Sequence, residues 1–198
     1  MNSLLGFPLD EGQTPLDPDE SCGLKPRWIA TRQDLNDAEA LNILRGMRWA
    51  RTEILRVGVD VPSEAFLRRL HRRMFNDVWQ WAGQFRSTER NIGVAPHQIA
   101  VQLLQLFDNV GAWREFGSYP LDEQAARLHH QLTYIHPFPN GNGRCSRGMA
   151  DMFLLQQGAE MFTWGPRPHD ASVRRDYLTA IRSADAGDIA PLLAFVRS

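Results

Sequence analysis

The sequence is poor in cysteine, nearly neutral in charge and free of long hydrophobic runs. Its two cysteines, Cys22 and Cys145, are too few for a disulfide framework, which favours reduced thiols and a cytoplasmic location. The formal net charge of −1 and the lack of a basic stripe argue against direct binding of nucleic acid or anionic lipid. No apolar run is long enough to cross a bilayer and no signal-peptide pattern opens the chain, so we expect neither a membrane anchor nor a secretory leader.

The residues that are present can build a hydrophobic core. Of 198 residues, 43% are hydrophobic, and six Trp and ten Phe are among them, which is typical of a folded domain. Apolar residues recur at helical spacing through residues 35–198, which predicts one mainly α-helical bundle. Residues 1–34 are rich in Pro, Gly and acids and predict an N-terminal arm that either wraps the surface or is disordered.

The predicted helices comprise residues 35–56, a segment opened by Pro62 and Ser63, residues 96–113, 121–135 and 144–157, and two last helices capped by Asp170 and Asp188. In the first of these helices, the stripe expected to face the core consists of Leu41, Leu44, Met47 and Ile54. Residues 83–95 lack a helical period, and their Gly, Thr, Ile and Val predict a short β-hairpin.

The most informative stretch is residues 136–147, with the sequence HPFPNGNGRCSR. A glycine-rich loop that leads into a helix N-terminus is an anion site, because the first backbone N–H groups are unpaired and lie at the positive end of the helix dipole. Arg144 and Arg147 are three residues apart and therefore share one helix face, where they would hold a polyphosphate. His136 precedes them at the mouth of this site, where a neutral imidazole can accept a proton.

This stretch resembles the signature of the Fic/Doc family, H-x-F-x-[acid or Asn]-G-N-G-R-x-x-R, with all eight fixed positions in register. The resemblance implies a Fic-fold helical bundle with a small β-hairpin flap. It also implies an enzyme that transfers AMP from ATP to a Ser, Thr or Tyr hydroxyl of a target protein. His136 would be the catalytic base. The implied phosphate-binding residues are Asn140, Gly141, Asn142 (with its side chain), Gly143, Arg144 and Arg147.

The run WAGQFR at residues 81–86 resembles the segment that leads into the flap of this family. There, the flap is an edge strand that docks the target segment by main-chain pairing. Ordinary surface hairpins have a similar composition, so that alternative stays open. The implied docking residues are Ser87, Thr88, Glu89, Ile92 and Gly93.

Position 140 departs from the usual pattern of AMP-transferring members, which carry Asp or Glu there to help hold Mg2+. Asn140 offers an uncharged oxygen, so the resemblance implies ATP as substrate and a Mg2+ ion that the protein holds weakly. Two alternatives stay open: a Doc-like phosphotransferase and a catalytically weak nucleotide-binding regulatory module. The resemblance favours AMP transfer over the Doc-like reaction, because the corresponding loop of Doc-like members carries Lys at the position of Gly143.

Many members are inhibited by a helical glutamate that pairs with the second motif arginine. The nearest candidate is Glu39, which lacks the usual flanking residues, so an ordinary exposed glutamate is the alternative. The prediction is that Glu39 meets Arg147. The segments 14–20, 23–26 and 31–43 also resemble a subgroup called mobile mystery protein B, which occurs with mobile elements and implies a helix-turn-helix partner protein.

A metal-hydrolase interpretation of His129, His130 and His136 is disfavoured. Adjacent residues on a helix point about 100° apart. No Asp or Glu near these histidines completes a convincing ligand set.

Overall fold

The structure, a computed structural model, describes residues 23–165 and 171–198, and within these ranges it is built from α-helices. The predicted mainly helical bundle is confirmed. A short 3-10 turn, Pro96–Gln98, precedes the third helix. The helices are α1 Arg32–Val57, α2 Glu64–Phe75, α3 Ile99–Phe116, α4 Leu121–Ile135, α5 Asn142–Gln156, α6 Ala171–Asp185 and α7 Ala190–Val196.

Local capping signals set where the first two helices begin. The Thr31 hydroxyl accepts the Asp34 N–H, and the Asp34 carboxylate accepts the Thr31 N–H in return, so a capping box opens α1. Ser63 caps α2 in the same way by accepting the Phe66 N–H. Because Thr31 is the cap, α1 begins three residues before the predicted boundary at residue 35.

Helix α5 lies at the centre of the bundle. It packs most extensively against α4 and also contacts α1 and α2, while α1 and α2 pack closely against each other. This arrangement buries the apolar side of α5 and places its N-terminus among the ends of α2 and α4. Almost fully buried residues of this core include Phe66, Leu70, Phe138, Met149, Ala150 and Phe153.

The predicted core face of α1 is wrong in part. Leu41 and Leu44 are 52% and 64% exposed. A Cβ added to Gly46 would lie 2.7 Å from the Met74 backbone N, so the backbones of α1 and α2 are in close contact at this glycine. That contact rotates the leucines outward. The buried face of α1 instead consists of Leu35, Glu39, Asn42, Gly46, Ala50 and Ile54.

The predicted β-hairpin at residues 83–95 does not form. Residues 84–95, hereafter the flap segment, contain no strand in the structure. The only β-bridge among the described residues joins Leu24 to Trp79. The flap segment pairs with the chain around His136 instead of with itself, since Arg86 N–H donates to Pro137 O and Val94 N–H donates to Ile135 O. Two of its backbone N–H groups are therefore satisfied by residues 135–137.

Several predictions fall on residues outside the described ranges. Most of the N-terminal arm, Cys22 and the Asp170 cap belong to this group. The described end of the arm lies against the residues after α2, because the Lys25 N–H donates to Val78 O at 2.8 Å. In residues 23–165 and 171–198, none of the helices combines the length and apolar character needed to span a bilayer.

Candidate functional site

The backbone of His136 ends α4 in an unusual conformation. Its φ of 54° and ψ of 58° lie in the left-handed region, and its N–H still donates to Leu132 O at 3.1 Å. Pro137 has no N–H and disfavours a helical residue before it, so the chain turns away at this point. A non-glycine residue held in this region stores roughly 1 kcal/mol of strain, which its surroundings must offset. The fold therefore holds His136 in a defined place.

The imidazole of His136 is buried and neutral. It is 6% exposed. Burial lowers the pKa of His136 to about 4. A hydrogen bond with the Thr133 backbone opposes this effect, and the positive charges of Arg86 and Arg90 add to the lowering. At neutral pH the ring is therefore unprotonated, which is the form a general base requires.

The motif loop, residues 136–141, is closed by the side chain of Asn142. The Asn142 Oδ1 accepts the Phe138 N–H at 2.8 Å, and its Nδ2 donates to Phe138 O at 2.7 Å. Phe138 is fully buried and anchors the loop in the core. Since both ends of the Asn142 carboxamide are engaged and the residue is buried, its side chain shapes the loop in this structure rather than facing a phosphate. Only its backbone N–H is left for that contact.

The N-terminus of α5 has the features of an anion site. Its first turn contains no acidic residue, and among the described residues no side chain caps it. Gly141 precedes the helix with a φ of 77°, and a Cβ there would lie 2.5 Å from the Phe75 ring. A Cβ on Gly143 would meet nothing within 4 Å, so the space in front of this turn is open. Backbone N–H groups and the helix dipole together favour a phosphate at this position.

Arg144 is held from two sides. Its Nη1 lies 2.5 Å from Glu39 Oε2, and its Nη2 lies 3.3 Å from Asn140 Oδ1. Glu39 is 7% exposed, and its other carboxylate oxygen accepts the Trp79 Nε1–H at 2.7 Å. The predicted partner of Glu39 is therefore wrong: Glu39 meets the first motif arginine and not Arg147. The indole of Trp79 fixes the carboxylate on the Arg144 side of α5.

Arg147 is directed to a different neighbour. Its guanidinium lies over the Tyr177 ring of α6, 5.5 Å from the ring centre. Asp151, one turn further along α5, accepts the Trp164 Nε1–H at 3.0 Å. Burial raises the pKa of Asp151 to about 6, against the opposing effects of hydrogen bonds from Trp164 and Phe162. The two motif arginines thus flank the α5 N-terminus with Arg144 toward α1 and Arg147 toward α6.

His71 supports the loop and was not singled out in the sequence. Its Nδ1 accepts the Gly83 N–H at 2.9 Å, so Nε2 carries the proton and donates to Asn140 O at 3.0 Å. The ring also stacks on Phe138 with centroids 3.7 Å apart. Burial lowers the pKa of His71 to about 3, which keeps this tautomer neutral. In sequence, His71 is only a polar residue within an apolar stripe, which gives no signal for this role.

The three histidines of the metal-hydrolase interpretation have different environments. His129 Nε2 lies 3.1 Å from the Tyr177 hydroxyl, and His130 Nε2 lies 2.8 Å from Asp185 Oδ1. Within the part of the chain that the structure describes, no three His, Cys, Asp or Glu side chains form a metal-binding group.

The donors at position 140 do not fit a tightly held Mg2+. The Asn140 Oδ1 is uncharged, accepts the Gly141 N–H at 2.5 Å and faces the Arg144 guanidinium. The nearby Glu39 carboxylate is engaged by Arg144 and Trp79. A hard cation prefers free, charged oxygen ligands. Neither residue offers one in this arrangement.

The flap segment adjoins His136. A Cβ added to Gly93 would lie 2.6 Å from the His136 Cβ. The predicted docking residues Ser87, Thr88, Glu89, Ile92 and Gly93 are all exposed. These exposed residues lie beside His136, although the segment is not a strand in this structure.

A sequence model of the Fic/DOC family matches residues 61–154, from just before α2 to the last turns of α5. Residues 61–154 are a Fic/DOC family domain. This domain contains the motif loop, both motif arginines and the flap segment. Helix α1, which supplies Glu39, lies before the matched residues.

Among curated proteins, the chain is 25% identical over 163 residues to "Protein adenylyltransferase fic-1" of Caenorhabditis elegans, covering 80% of this chain and 31% of that protein. It is 31% identical over 132 residues to "Protein adenylyltransferase Fic" of Drosophila grimshawi, covering 64% of this chain and 26% of that protein. The chain thus spans about a quarter to a third of the length of these relatives.

Solved structures of Fic proteins share the fold. The Fic-1 fragment of C. elegans superposes with a TM-score of 0.68 at 22% identity, covering 90% of this chain and 51% of that one. BepC of Bartonella tribocorum, solved with bound AMPPNP, gives a TM-score of 0.65 at 21% identity, covering 96% of this chain and 93% of that one.

Proposed function

We propose that this Fic/DOC domain transfers AMP from ATP to a Ser, Thr or Tyr hydroxyl of a target protein. The proposal rests on one observation: a neutral, conformationally fixed His136 is joined by the motif loop to the open N-terminus of α5. Curated relatives named adenylyltransferases and a related structure with bound AMPPNP support ATP as the substrate.

In the proposed reaction, the target hydroxyl oxygen attacks the α-phosphorus of ATP, and His136 takes the hydroxyl proton. A new oxygen–phosphorus bond forms as the bond from the α-phosphorus to the α,β-bridging oxygen breaks. Pyrophosphate leaves with that electron pair. The chain's contribution is to place the nucleophile, the base and the phosphates in line, since this class of reaction depends mainly on positioning and charge stabilisation.

The phosphates would be held by the first N–H groups of α5 and by both motif arginines. Gly143 leaves room for close approach, and Arg144 and Arg147 flank the helix start. A planar guanidinium binds phosphate through two parallel hydrogen bonds. We assign no step to Mg2+, because Asn140 presents only an occupied, neutral oxygen.

Glu39 would restrain this site. Its carboxylate occupies Arg144, so the triphosphate has to compete with a partly buried ion pair for one of the two arginines. The flap segment, with Ser87, Thr88, Glu89, Ile92 and Gly93, would dock the target protein beside His136. A helix-turn-helix partner, implied by the subgroup resemblance, belongs to this proposal as a second protein that could be sought by copurification.

Mass spectrometry of the purified chain after incubation with ATP and Mg2+ tests the proposal, first on the chain itself and then on proteins of a cell lysate. We expect an AMP-sized adduct that His136→Ala abolishes. A phosphate-sized adduct would favour the Doc-like reaction instead. ATP binding without any adduct, in the presence of a lysate, would favour the regulatory module.

A further inference from the structure

Arg86 is a buried guanidinium that binds backbone carbonyls on both sides of the site. It is 3% exposed. Its Nε donates to His136 O at 2.7 Å and its Nη1 to Thr88 O at 3.0 Å. Its Nη2 donates to Val94 O. One side chain thereby links the C-terminal end of α4 to both ends of the exposed part of the flap segment.

These contacts stabilise the end of α4, where the motif loop begins. The last carbonyls of a helix have no partner within the helix and carry its negative end, which a cation stabilises. The Arg86 fork supplies that cation at His136 O and approaches Ile135 O at 3.5 Å. A guanidinium has five donors in a fixed plane, so it can hold several carbonyls at set angles, which a lysine ammonium on a flexible stem does less well.

Backbone hydrogen bonds extend the same connection. The Arg86 N–H donates to Pro137 O at 2.9 Å, and the Val94 N–H donates to Ile135 O at 3.3 Å. The flap segment is therefore attached to residues 135–137 at two points, with Arg86 between them. Because the left-handed backbone of His136 is strained, it needs such outside contacts to persist.

We propose that Arg86 is a positioning residue that holds the backbone of His136 and the flap segment in a fixed position relative to each other. The base and the exposed main chain beside it then keep a fixed mutual geometry, although Arg86 need not touch ATP or the target. Its effect on transfer rests on the proposed function, whereas its effect on the geometry does not.

Amide hydrogen exchange tests the geometric part without requiring activity. The variants are Arg86→Met and Arg86→Lys, with Arg45→Met as the control, because Arg45 is a 62%-exposed arginine in a surface pair with Asp77. In Arg86→Met we expect the Val94 and His136 amides to exchange at least about tenfold faster. The Thr163 amide, which donates to Val196 O at 3.0 Å far along the chain, reports general stability and should change little.

Transfer kinetics test the functional part. In Arg86→Met we expect kcat to fall by about ten- to hundredfold, with ATP affinity within about twofold of wild type, because orientation rather than nucleotide binding is lost. Arg86→Lys should behave like Arg86→Met, since one ammonium cannot span carbonyls on both sides. Arg45→Met should match the wild type in both measurements.

Several results would overturn the proposal. Equal acceleration of the Thr163, Val94 and His136 amides would make Arg86 a general stabiliser only. Unchanged exchange at Val94 and His136, an unchanged kcat in an active enzyme, or full rescue by Arg86→Lys would also refute it. If the wild type transfers no AMP, the proposed function fails, and the exchange data alone decide whether Arg86 positions His136.

Discussion

At the scale of single residues, the carboxylate of Glu39 holds Arg144, one of the two arginines that we propose bind the nucleotide. The Trp79 indole donates to the Glu39 carboxylate, which accepts from Arg144, while the Arg147 guanidinium lies over the Tyr177 ring. The Glu39 carboxylate is buried whereas the Arg144 side chain is 33% exposed, so loss of Arg144 would leave a carboxylate with little access to water. The restraint therefore acts on one arginine of the two.

Glu39→Gln should release Arg144 while keeping an oxygen for the Trp79 N–H. We expect ATP to bind about three- to tenfold more tightly, and transfer to increase at low ATP, because the phosphates no longer compete with a carboxylate. Calorimetric titration with ATP measures the change. Glu53→Gln is the matched control, as Glu53 lies on the same helix and pairs with Arg69 at 2.5 Å. Equal affinities for both variants and the wild type would refute the restraint.

The pKa of His136 gives a second prediction at this scale. Because its pKa is about 4 in the folded chain, the ring loses its proton at a pH well below neutral and remains a base above it. We expect kcat/KM to be flat between about pH 6 and pH 8, whereas a base with the ordinary pKa of about 6.5 would halve the rate near that pH. Single-turnover assays over this range measure the profile. A midpoint near pH 6.5 would contradict the burial effect.

At the scale of elements, the flap segment and the end of α4 behave as partners. Gly93 has a φ of 94° and lies so close to His136 that a side chain would collide with it. The segment has no cross-strand pairing of its own to hold it, so its position depends on residues 135–137 and Arg86. A change at this contact should therefore move the base as well as the segment.

Gly93→Ala should lower the transfer rate by about ten- to hundredfold, because a misplacement of about 1 Å is enough for that loss. Gly58→Ala is the control: its φ of 69° also disfavours a side chain, but a Cβ there meets nothing within 4 Å. Both variants should lose roughly 1 kcal/mol of folding free energy from the positive φ, while only Gly93→Ala loses activity. Equal rates in the two variants would show that the contact does not place the base.

At the scale of the whole molecule, buried titratable groups couple folding to pH. Burial lowers the pKa values of His71 and His129 to about 3 and that of His136 to about 4, all below the unfolded value of about 6.5. The unfolded chain therefore binds more protons, and stability is lost as the pH falls below 6.5. Asp151 opposes this trend: its raised pKa makes the folded state lose stability as the pH rises from about 4 to 6.

Three histidines outweigh one carboxyl, so we expect the free energy of unfolding to fall between pH 6.5 and 4.5. His129→Gln should reduce this fall by up to about 1.4 kcal/mol per pH unit, while costing about 1–3 kcal/mol at pH 7 through lost packing and hydrogen bonding. Urea unfolding at a series of pH values measures both effects. His97→Gln, at an exposed position, should keep the wild-type slope. A slope that is unchanged in His129→Gln would contradict the prediction.

Local patterns in the sequence determined much of the fold. The helical span Leu121–Ile135 and the loop between α4 and α5 follow from residue spacing and from Pro and Gly, which act over a few residues. The motif likewise predicted His136, Arg144 and Arg147 as site residues, because a short fixed spacing can be recognised without knowledge of the rest of the chain. The family model that matches residues 61–154 agrees with the resemblance, and the roles of these residues stay predictions.

Contacts between distant segments were decided only by the tertiary structure. Gly46 brings α1 and α2 together and exposes Leu41, and Trp79 directs Glu39 to Arg144 instead of Arg147. Arg86 and residues 135–137 take the hydrogen bonds that a hairpin would have used. In each case several local alternatives have similar energies, and packing between segments tens of residues apart selects one of them.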